Sequence, residues 1–246
     1  DPTILAKLKE INLAENNKFF LWHTWFSDVF NREDKEGFDI VIGNPPYIGE
    51  KGHKEIFQPV KADIHLGQYY LGKMDYFYFF FHLAFNMLSP SGVATFITTN
   101  YYPTALGARR LRADIKDRMN IKTLFNLGEL RLFENAPGQH NMISSFAKGK
   151  DGCKCQVIDV HKKGALNPLM FTSIISRKDE DTAYADVAQE DLYDGEENYI
   201  RLQNSSSDNP LSSLLDKIQL GNSTLGNIAE VNAGIMGGCD SITNHN

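Results

Sequence analysis

Apolar residues recur every three or four positions at Ile4, Leu5, Leu8 and Ile11, which predicts a helix over "TILAKLKEINLAENN". The aromatic run "FFLWHTWFSDVF" behind it reads as a short strand closing on Asp28, followed by the polar turn "NREDKEG". "FDIVIG" is a continuous apolar run of the kind buried on both faces, which assigns it to a parallel sheet. "NPPY" stands at its carboxyl end. Residues 51–73 read as a long polar loop with several aromatics, and so long a loop in a compact domain is usually functional or mobile. "DYFYFFFHLAFNMLSPSG" predicts a helix from about Asp75 to Leu88, apolar nearly all round and so buried within a larger fold. Then come the strand "VATFITT", the basic amphipathic helix "ALGARRLRADIKDRMN" and the strands "IKTLFNLG" and "MISSFAKG". This alternation predicts an α/β fold with a Rossmann-like doubly wound sheet, its last two strands pairing as a terminal hairpin.

Past Lys150 the pattern changes. "QVIDVHK" reads as an edge strand, and "SRKDEDTAYADVAQEDLYDGEEN" as an acidic linker with little apolar periodicity. "NPLSSLLDKIQ" predicts a short helix capped by Asn or Ser. "LGNIAEVNAGIMGG" begins something new with a strand and a glycine turn. The expected organisation is a catalytic part over 1–150, an edge strand and linker over 151–205, and the start of a second domain over 206–246.

Composition changes this picture little. With 42% hydrophobic and 23% charged residues, the 246-residue chain holds enough apolar material for a sizeable core. A net charge of -6 does not mark the whole chain as a nucleic-acid binder, though it leaves room for a local basic patch. Three cysteines without a spaced framework fit a reducing cytosol, hence a cytoplasmic protein. Cys153 and Cys155 lack a second ligand pair, so plain thiols are expected there and no metal. No signal peptide opens the sequence, and its greasiest stretch falls short of the roughly 20 apolar residues of a membrane span. The first residue is Asp1 and the last ones trail off without a closing element, so the chain reads as cut at both ends.

Candidate chemistry centres on Asn44, Pro45, Pro46 and Tyr47. Loops at the carboxyl ends of parallel strands are where α/β folds place their sites. Two prolines fix φ twice and donate no backbone hydrogen bond, which leaves a stiff loop with free carbonyl acceptors. Asn44 adds a side-chain carbonyl and Tyr47 a flat ring. The set suits an exocyclic amino group on a planar ring. Its N–H groups donate to Asn44 and to the Pro45 carbonyl, and its lone pair is turned toward an electrophile. The bland alternative is a Pro-Pro pair that merely ends a strand, with Asn capping the turn.

"GFDIVIGNPPYIG" resembles the catalytic motif of the amino-group DNA methyltransferases that make N6-methyladenine with S-adenosylmethionine. "KMDYFYFFFHLAFNMLSPSGVATFITTNYYP" is similar to the helix-turn-strand that follows it in the gamma class. "LFNLGELRLFENAPGQHNMISSFAKGK" resembles the later segment carrying a base-stacking aromatic. "FFLWHTWFSDVF…GFDIVIGNPPYIG" is similar to the type IIG enzymes, which fuse restriction and modification in one chain. The resemblance covers about residues 19–150, and "LGNIAEVNAGIMGG" looks like the opening of their target-recognition domain.

It implies a class I S-adenosylmethionine-dependent methyltransferase fold, present in part. It implies that Asn44 and Pro45 bind the adenine amino group and that Tyr47 stacks on the extruded base. Phe133 falls where the family has the aromatic on the base's other face, with Phe125 as the fallback and core packing as the bland reading. Asp28 and Asp75 would touch the cofactor, Asp75 being equally a helix cap. The family's methionine-binding glycine loop is absent; it would lie upstream of Asp1, and the fragment alone is expected to bind cofactor poorly and be inactive.

The implied partner is double-stranded DNA, with other parts of a restriction-modification protein or complex and no membrane. The base must leave the duplex, and stacking between two rings offsets that cost. Lys51, His53, Lys54 and Lys61, just past the catalytic turn, are the expected DNA contacts. The helix bearing Arg109, Arg110, Arg112, Lys116 and Arg118 reads first as a solvated outer face and second as a phosphate binder. Two other functions remain open. One is the same turn acting on RNA guanine or a protein glutamine amide; the other is a non-catalytic DNA-recognition or scaffold piece.

Overall fold

A computed structural model describes residues 20–133, 139–150 and 152–202, with 218, 223, 228 and 229. The chain divides into two compact units, residues 1–203 and 204–246. The expected helix over residues 3–17 lies outside the described residues, as do the expected helix and glycine turn beyond residue 205, apart from those few single positions.

The first unit begins with two helical turns, α1 (Trp22–Trp25) and α2 (Ser27–Phe30). This corrects the expected strand: the rings of Trp22, Phe26 and Phe30 gather around Phe38 at 5.2–6.0 Å, a one-sided cluster that only helical spacing allows. Strand β1 (Phe38–Gly43) follows, then α3 (Lys54–Ala62), α4 (Phe77–Met87), β2 (Leu88–Thr99), α5 (Arg109–Arg118) and β3 (Met119–Asn126). After the short β4 (Leu130–Arg131) come β5 (Asn141–Lys148), β6 (Cys155–Val160), the short β7 (Gly164–Ala165), α6 (Pro168–Ile175) and β8 (Thr182–Val187). Two short strands, β9 (Tyr193–Asp194) and β10 (Tyr199–Ile200), end the described part.

The six long strands form one mixed sheet in the order β1-β2-β5-β3-β6-β8. β1 and β2 are parallel, as are β3 and β6, while β5 and β8 run against their neighbours. The fold is therefore α/β, with four of the six strands pointing one way. β3 and β5 do pair antiparallel, but β5 is threaded between β2 and β3 rather than closing the sheet as a terminal hairpin.

One sheet face carries the main core. From α4, Phe81 stacks on Phe96 of β2 at 4.7 Å, and Phe81 and Phe85 meet Phe146 of β5 at 5.4 and 5.5 Å. Leu111 and Ile115 of α5 join the same cluster. A buried pair ties the helices together: His82 Nδ1 lies 2.6 Å from Asp114 Oδ2, and Arg118 donates twice to Asp114. Burial holds His82 below its ordinary range, so it stays neutral at pH 7. The other face is covered at the β3–β6–β8 end by α6, through Phe125, Ile158, Val160 and Ile174.

Three further differences from the expectation have physical causes. β1 is an edge strand, and its Ile40 and Ile42 are 66% and 77% exposed, so among the described residues it is not buried on both faces. The loop 51–73 contains a true helix, α3, whose Phe57 and Val60 turn into the core; Pro59 inside it hides the pattern in the sequence. The acidic stretch is no linker. It contributes β8, paired with β6 over six residues, and its alternation is carried by small residues such as Ala185. An edge strand with a charged rim (Asp186 paired with Arg177 at 2.7 Å) resists further strand addition.

Most of the basic face of α5 is solvated as expected, with Arg109, Arg110 and Lys116 exposed, but their charges are paired within the protein and Arg112 is buried. Arg112 is fully buried and donates to the carbonyls of Tyr102, Ala105 and Glu197, while its guanidinium lies 4.7 Å from the Tyr199 ring. Arg109 pairs with Glu197, Arg110 donates to two carbonyls, and Lys116 to Asn198.

Phe81→Ala is expected to cost about 3–5 kcal/mol, as for a large-to-small change in a closed core. Ile42→Ala should stay within about 0.5 kcal/mol, because its side chain is already in water. Urea midpoints of the two variants check both; equal losses would refute this assignment of the core.

Candidate active site

Strand β1 delivers Asn44 to the carboxyl edge of the sheet. Its last residue, Gly43, passes so close to Phe96 that a Cβ would sit 2.9 Å from the ring. Only a glycine lets β1 run over this part of the core. The turn that follows leaves Asn44 and Pro46 exposed, Pro45 buried and Tyr47 half-buried.

Tyr47 holds the turn together. Its hydroxyl lies 2.6 Å from Asn44 Oδ1 and 2.9 Å from the Ile97 carbonyl of β2, and its single proton serves one of these acceptors at a time. Its ring packs edge-to-face on Phe77 at 6.0 Å. Burial pushes the Tyr47 phenol up to about 12, an effect that the Asn141 amide beside it partly offsets.

Beyond Tyr47 the chain is fixed again. Tyr76 N donates to Ile48 O at 2.8 Å, Glu50 N to Met74 O at 2.9 Å, and Gly49 and Asp75 form an antiparallel bridge. Asp75 therefore sits directly behind the turn. It does not cap α4, whose N-cap is Tyr76; its carboxylate accepts from Tyr78 Oη at 3.2 Å, and burial raises its pKa.

Asp28 is placed elsewhere. It is exposed on α2, next to Gly37 at the amino end of β1, since Gly37 N donates to Val29 O. A six-residue strand separates it from Asn44, roughly 20 Å at 3.3 Å per residue. The structure does not bring the two together.

Lys51, His53, Lys54 and Lys61 are all exposed on the segment leaving the turn and on α3. Lys61 lies 5.0 Å over the Tyr70 ring, and His53 faces Glu55 at 3.9 Å. Phe133 is half-buried just past β4, at the border of a stretch that is not described. Phe125 is 5% exposed and stacked on Phe171 at 6.2 Å, so the fallback aromatic is a core residue.

A row of amides along the same edge escaped the sequence reading. Asn100 Nδ2 donates to Asn126 Oδ1 at 2.9 Å, and Asn126 Nδ2 to Asp159 Oδ1 at 2.7 Å. Asn141 Nδ2 reaches the Thr98 carbonyl at 3.4 Å, and the Asn141 carbonyl accepts from Leu127 N at 2.9 Å. The signal was present in the sequence: the runs "DIVIG", "TFITT" and "KTLF" are each followed by Asn, and "MISSF" is preceded by one.

The turn and its edge are those of an α/β protein with a rigid amide-and-aromatic acceptor site. Residues 2–133, over half of the chain, match the Eco57I restriction-modification methylase family, and the chain belongs to that family. Two curated type II methyltransferases are similar, M.HincII of Haemophilus influenzae and M.HindII of H. influenzae strain ATCC 51907 / DSM 11121 / KW20 / Rd. Each is 25% identical over 141 residues, 57% of this chain, and the chain spans only 28% and 27% of their lengths. Among solved structures, the M protein of the type I restriction enzyme EcoKI has a TM-score of 0.47 at 13% identity, over 76% of this chain and 51% of that one.

The Tyr47 assignment predicts a pH effect. A phenol raised above its unfolded value near 10 stabilises the fold below that pH, and this contribution is lost as pH rises through about 12. Wild type should therefore lose stability between pH 10 and about 12 more steeply than Tyr47→Phe, which at pH 7 should be weaker by about 1 kcal/mol. Denaturation midpoints across that range check the slope; parallel curves would refute it.

Proposed function

We propose that the complete protein is a DNA methyltransferase of a restriction-modification system, acting on the N6 amino group of an adenine flipped out of the duplex. The observation that carries this reading is the Asn44–Tyr47 turn at the carboxyl edge of the sheet, with the Asn44 carbonyl oriented by the Tyr47 hydroxyl. S-adenosylmethionine would supply an electrophilic methyl group. The described residues do not by themselves build its pocket. Upstream of Asn44 the sequence has glycine only at 37 and 43; Asp75, behind the turn, keeps acceptor positions beyond its one bond from Tyr78 and would contribute to the cofactor side of the site.

The residues of the turn have defined tasks. Asn44 Oδ1 has two lone pairs, one facing Tyr47, and the other accepts an amino N–H. Pro45 O accepts the second N–H. Two such bonds draw the nitrogen lone pair out of the purine ring and aim it. The Tyr47 ring backs one face of the base, and Phe133 is placed on the other. The segment order supports the gamma class, and the aromatic flank before β1 supports a type IIG arrangement with a nuclease in the same polypeptide. A target-recognition domain then begins near residue 206, and the protein works in the cytoplasm. Among the described residues no helix is long and apolar enough to cross a membrane. Lys51, His53, Lys54 and Lys61 approach the DNA backbone.

The complete reading frame, expressed in a host without adenine methylation, should place N6-methyladenine at one repeated sequence, and Asn44→Ala should abolish it. Soluble protein leaving no mark in either strain would sink the adenine reading and favour RNA guanine or a protein glutamine amide. If Lys54 contacts a phosphate, Lys54→Ala should weaken binding to all DNA sequences alike and reduce the slope of log affinity against log salt by about 1. An unchanged slope would remove Lys54 from the interface.

A further inference from the structure

Past the row of amides, the carboxyl edge carries a second, very small sheet. β4 and β7 pair in parallel beyond the ends of β3 and β6, Leu130 beside Gly164 and Arg131 beside Ala165, and Leu166 N donates to Arg131 O at 2.9 Å. Leu130 is buried in the cluster that α6 covers, while Glu129 and Arg131 on either side of it are exposed. With Lys163 and Gly164 from the turn after β6, and with Gln139 and His140 just before β5, they line a cleft of about 330 Å³. That lies at the lower end of the roughly 300–1,000 Å³ of ligand sites.

The lining is cationic around a single acid. Lys163 Nζ lies 2.8 Å from Glu129 Oε2, and Lys163, with a smaller pull from His140, holds the Glu129 carboxyl below its ordinary range. Glu129 is thus an anion held among cations. Its ion pair is exposed at both ends, and such pairs are weak enough for a stronger anion to displace the carboxylate. Arg131 is placed differently. Arginines 32, 109, 110, 112, 118, 177 and 201 are each bonded to a carbonyl or a carboxylate. Among the described residues the Arg131 side chain has no such partner, and it lines the cleft. A planar guanidinium offers two parallel N–H donors, a fork that matches a phosphate.

The cleft and the Asn44–Tyr47 turn share one edge of the sheet. β3 and β6 lie three and four strand spacings from β1, about 14–19 Å. Phosphates recur at about 3.4 Å per nucleotide along a strand, so a duplex that offers a base to Asn44 has phosphates at this distance about four to six nucleotides away. We infer that the β4–β7 cleft binds a backbone phosphate of the substrate duplex, with Arg131 as its fork, Lys163 as the second charge and Glu129 competing with the phosphate for Lys163. This rests on the function proposed above and adds a second backbone contact to that of segment 51–61.

The test is DNA binding by the complete protein over a salt series, with a labelled mixed-sequence duplex as the probe. Arg131→Ala should weaken binding to all sequences alike and reduce the slope of log affinity against log salt by about 1. Between about 50 and 200 mM salt it should then lose about fourfold less affinity than wild type does. Glu129→Gln should act the other way. It frees Lys163 to release its own counterions on DNA, so binding tightens and the slope steepens by up to about 1. The gain should vanish in the E129Q/K163A chain. An R131A slope equal to that of wild type overturns the inference, as does an E129Q chain that binds no tighter than wild type, or a gain that survives in E129Q/K163A. The three side chains are exposed, where substitutions disturb folding little. If R131A fails to fold, the E129Q and E129Q/K163A chains still decide. Wild type that binds no duplex DNA would sink the proposed function and this cleft with it. Wild type that methylates adenine while R131A keeps the wild-type slope would sink the cleft alone.

Discussion

Phe96 stands where the core and the candidate site meet. Its ring stacks on Phe81 of α4 at 4.7 Å and lies under Gly43, where no side chain would fit. That contact fixes how closely β1 lies on the sheet, and β1 carries Asn44. The same strand offers the Ile97 carbonyl, one residue past Phe96, to the Tyr47 hydroxyl. Core and turn are thus coupled through two neighbouring residues of β2. One is apolar and points into the helices; the other presents its backbone at the edge. A core of interlocked phenylalanines deforms little, because close-packed rings have few alternative arrangements. The acceptor geometry of the turn inherits that stiffness.

The edge itself is built largely from buried amides, with the Asp159 carboxylate accepting from Asn126 at one end of the row. Asn126 and Asn141 are 9% and 1% exposed. Burying a charge there would cost far more than burying an amide whose donors and acceptors are met. Asn100, Asn126 and Asn141 supply hydrogen bonds there without adding charge. That suits a site proposed to receive a neutral purine, while cations that would meet phosphates sit apart on the exposed segment 51–61.

Much of this was legible in the sequence. The Asn44–Tyr47 turn, the buried helix α4 and the strands β2, β3 and β5 follow from apolar runs and the Pro-Pro stop. Other features were hidden for physical reasons. Pro59 masks α3, whose stability comes from Phe57 and Val60 against the core rather than from propensity. β8 is written in Thr, Ala and Tyr between acids, because an edge strand needs only small residues on its packed side. No local pattern shows that β5 threads between β2 and β3; strand order is a non-local property. The contacts of Asn126 were invisible for the same reason, since its three partners lie 2, 26 and 33 residues away in sequence. Asp28 shows the same limit: closeness in sequence to β1 does not say which end of the strand a residue reaches, and it lies by the amino end.

The turn is anchored on both sides. Before it runs the parallel ladder of β1 with β2, and after it the bridge of Gly49 with Asp75. Between these lie Asn44, Pro45, Pro46 and Tyr47, two of which have no N–H. A four-residue turn normally presents a balance of donors and acceptors. This one is poor in backbone donors by composition and rich in carbonyls, with the Asn44 side chain adding another. A donor-poor turn discriminates: a ligand that offers only acceptors finds few partners there, whereas an amino group finds at least two. The selectivity proposed for an amino nitrogen would therefore rest on two absent hydrogens as much as on the residues that bind.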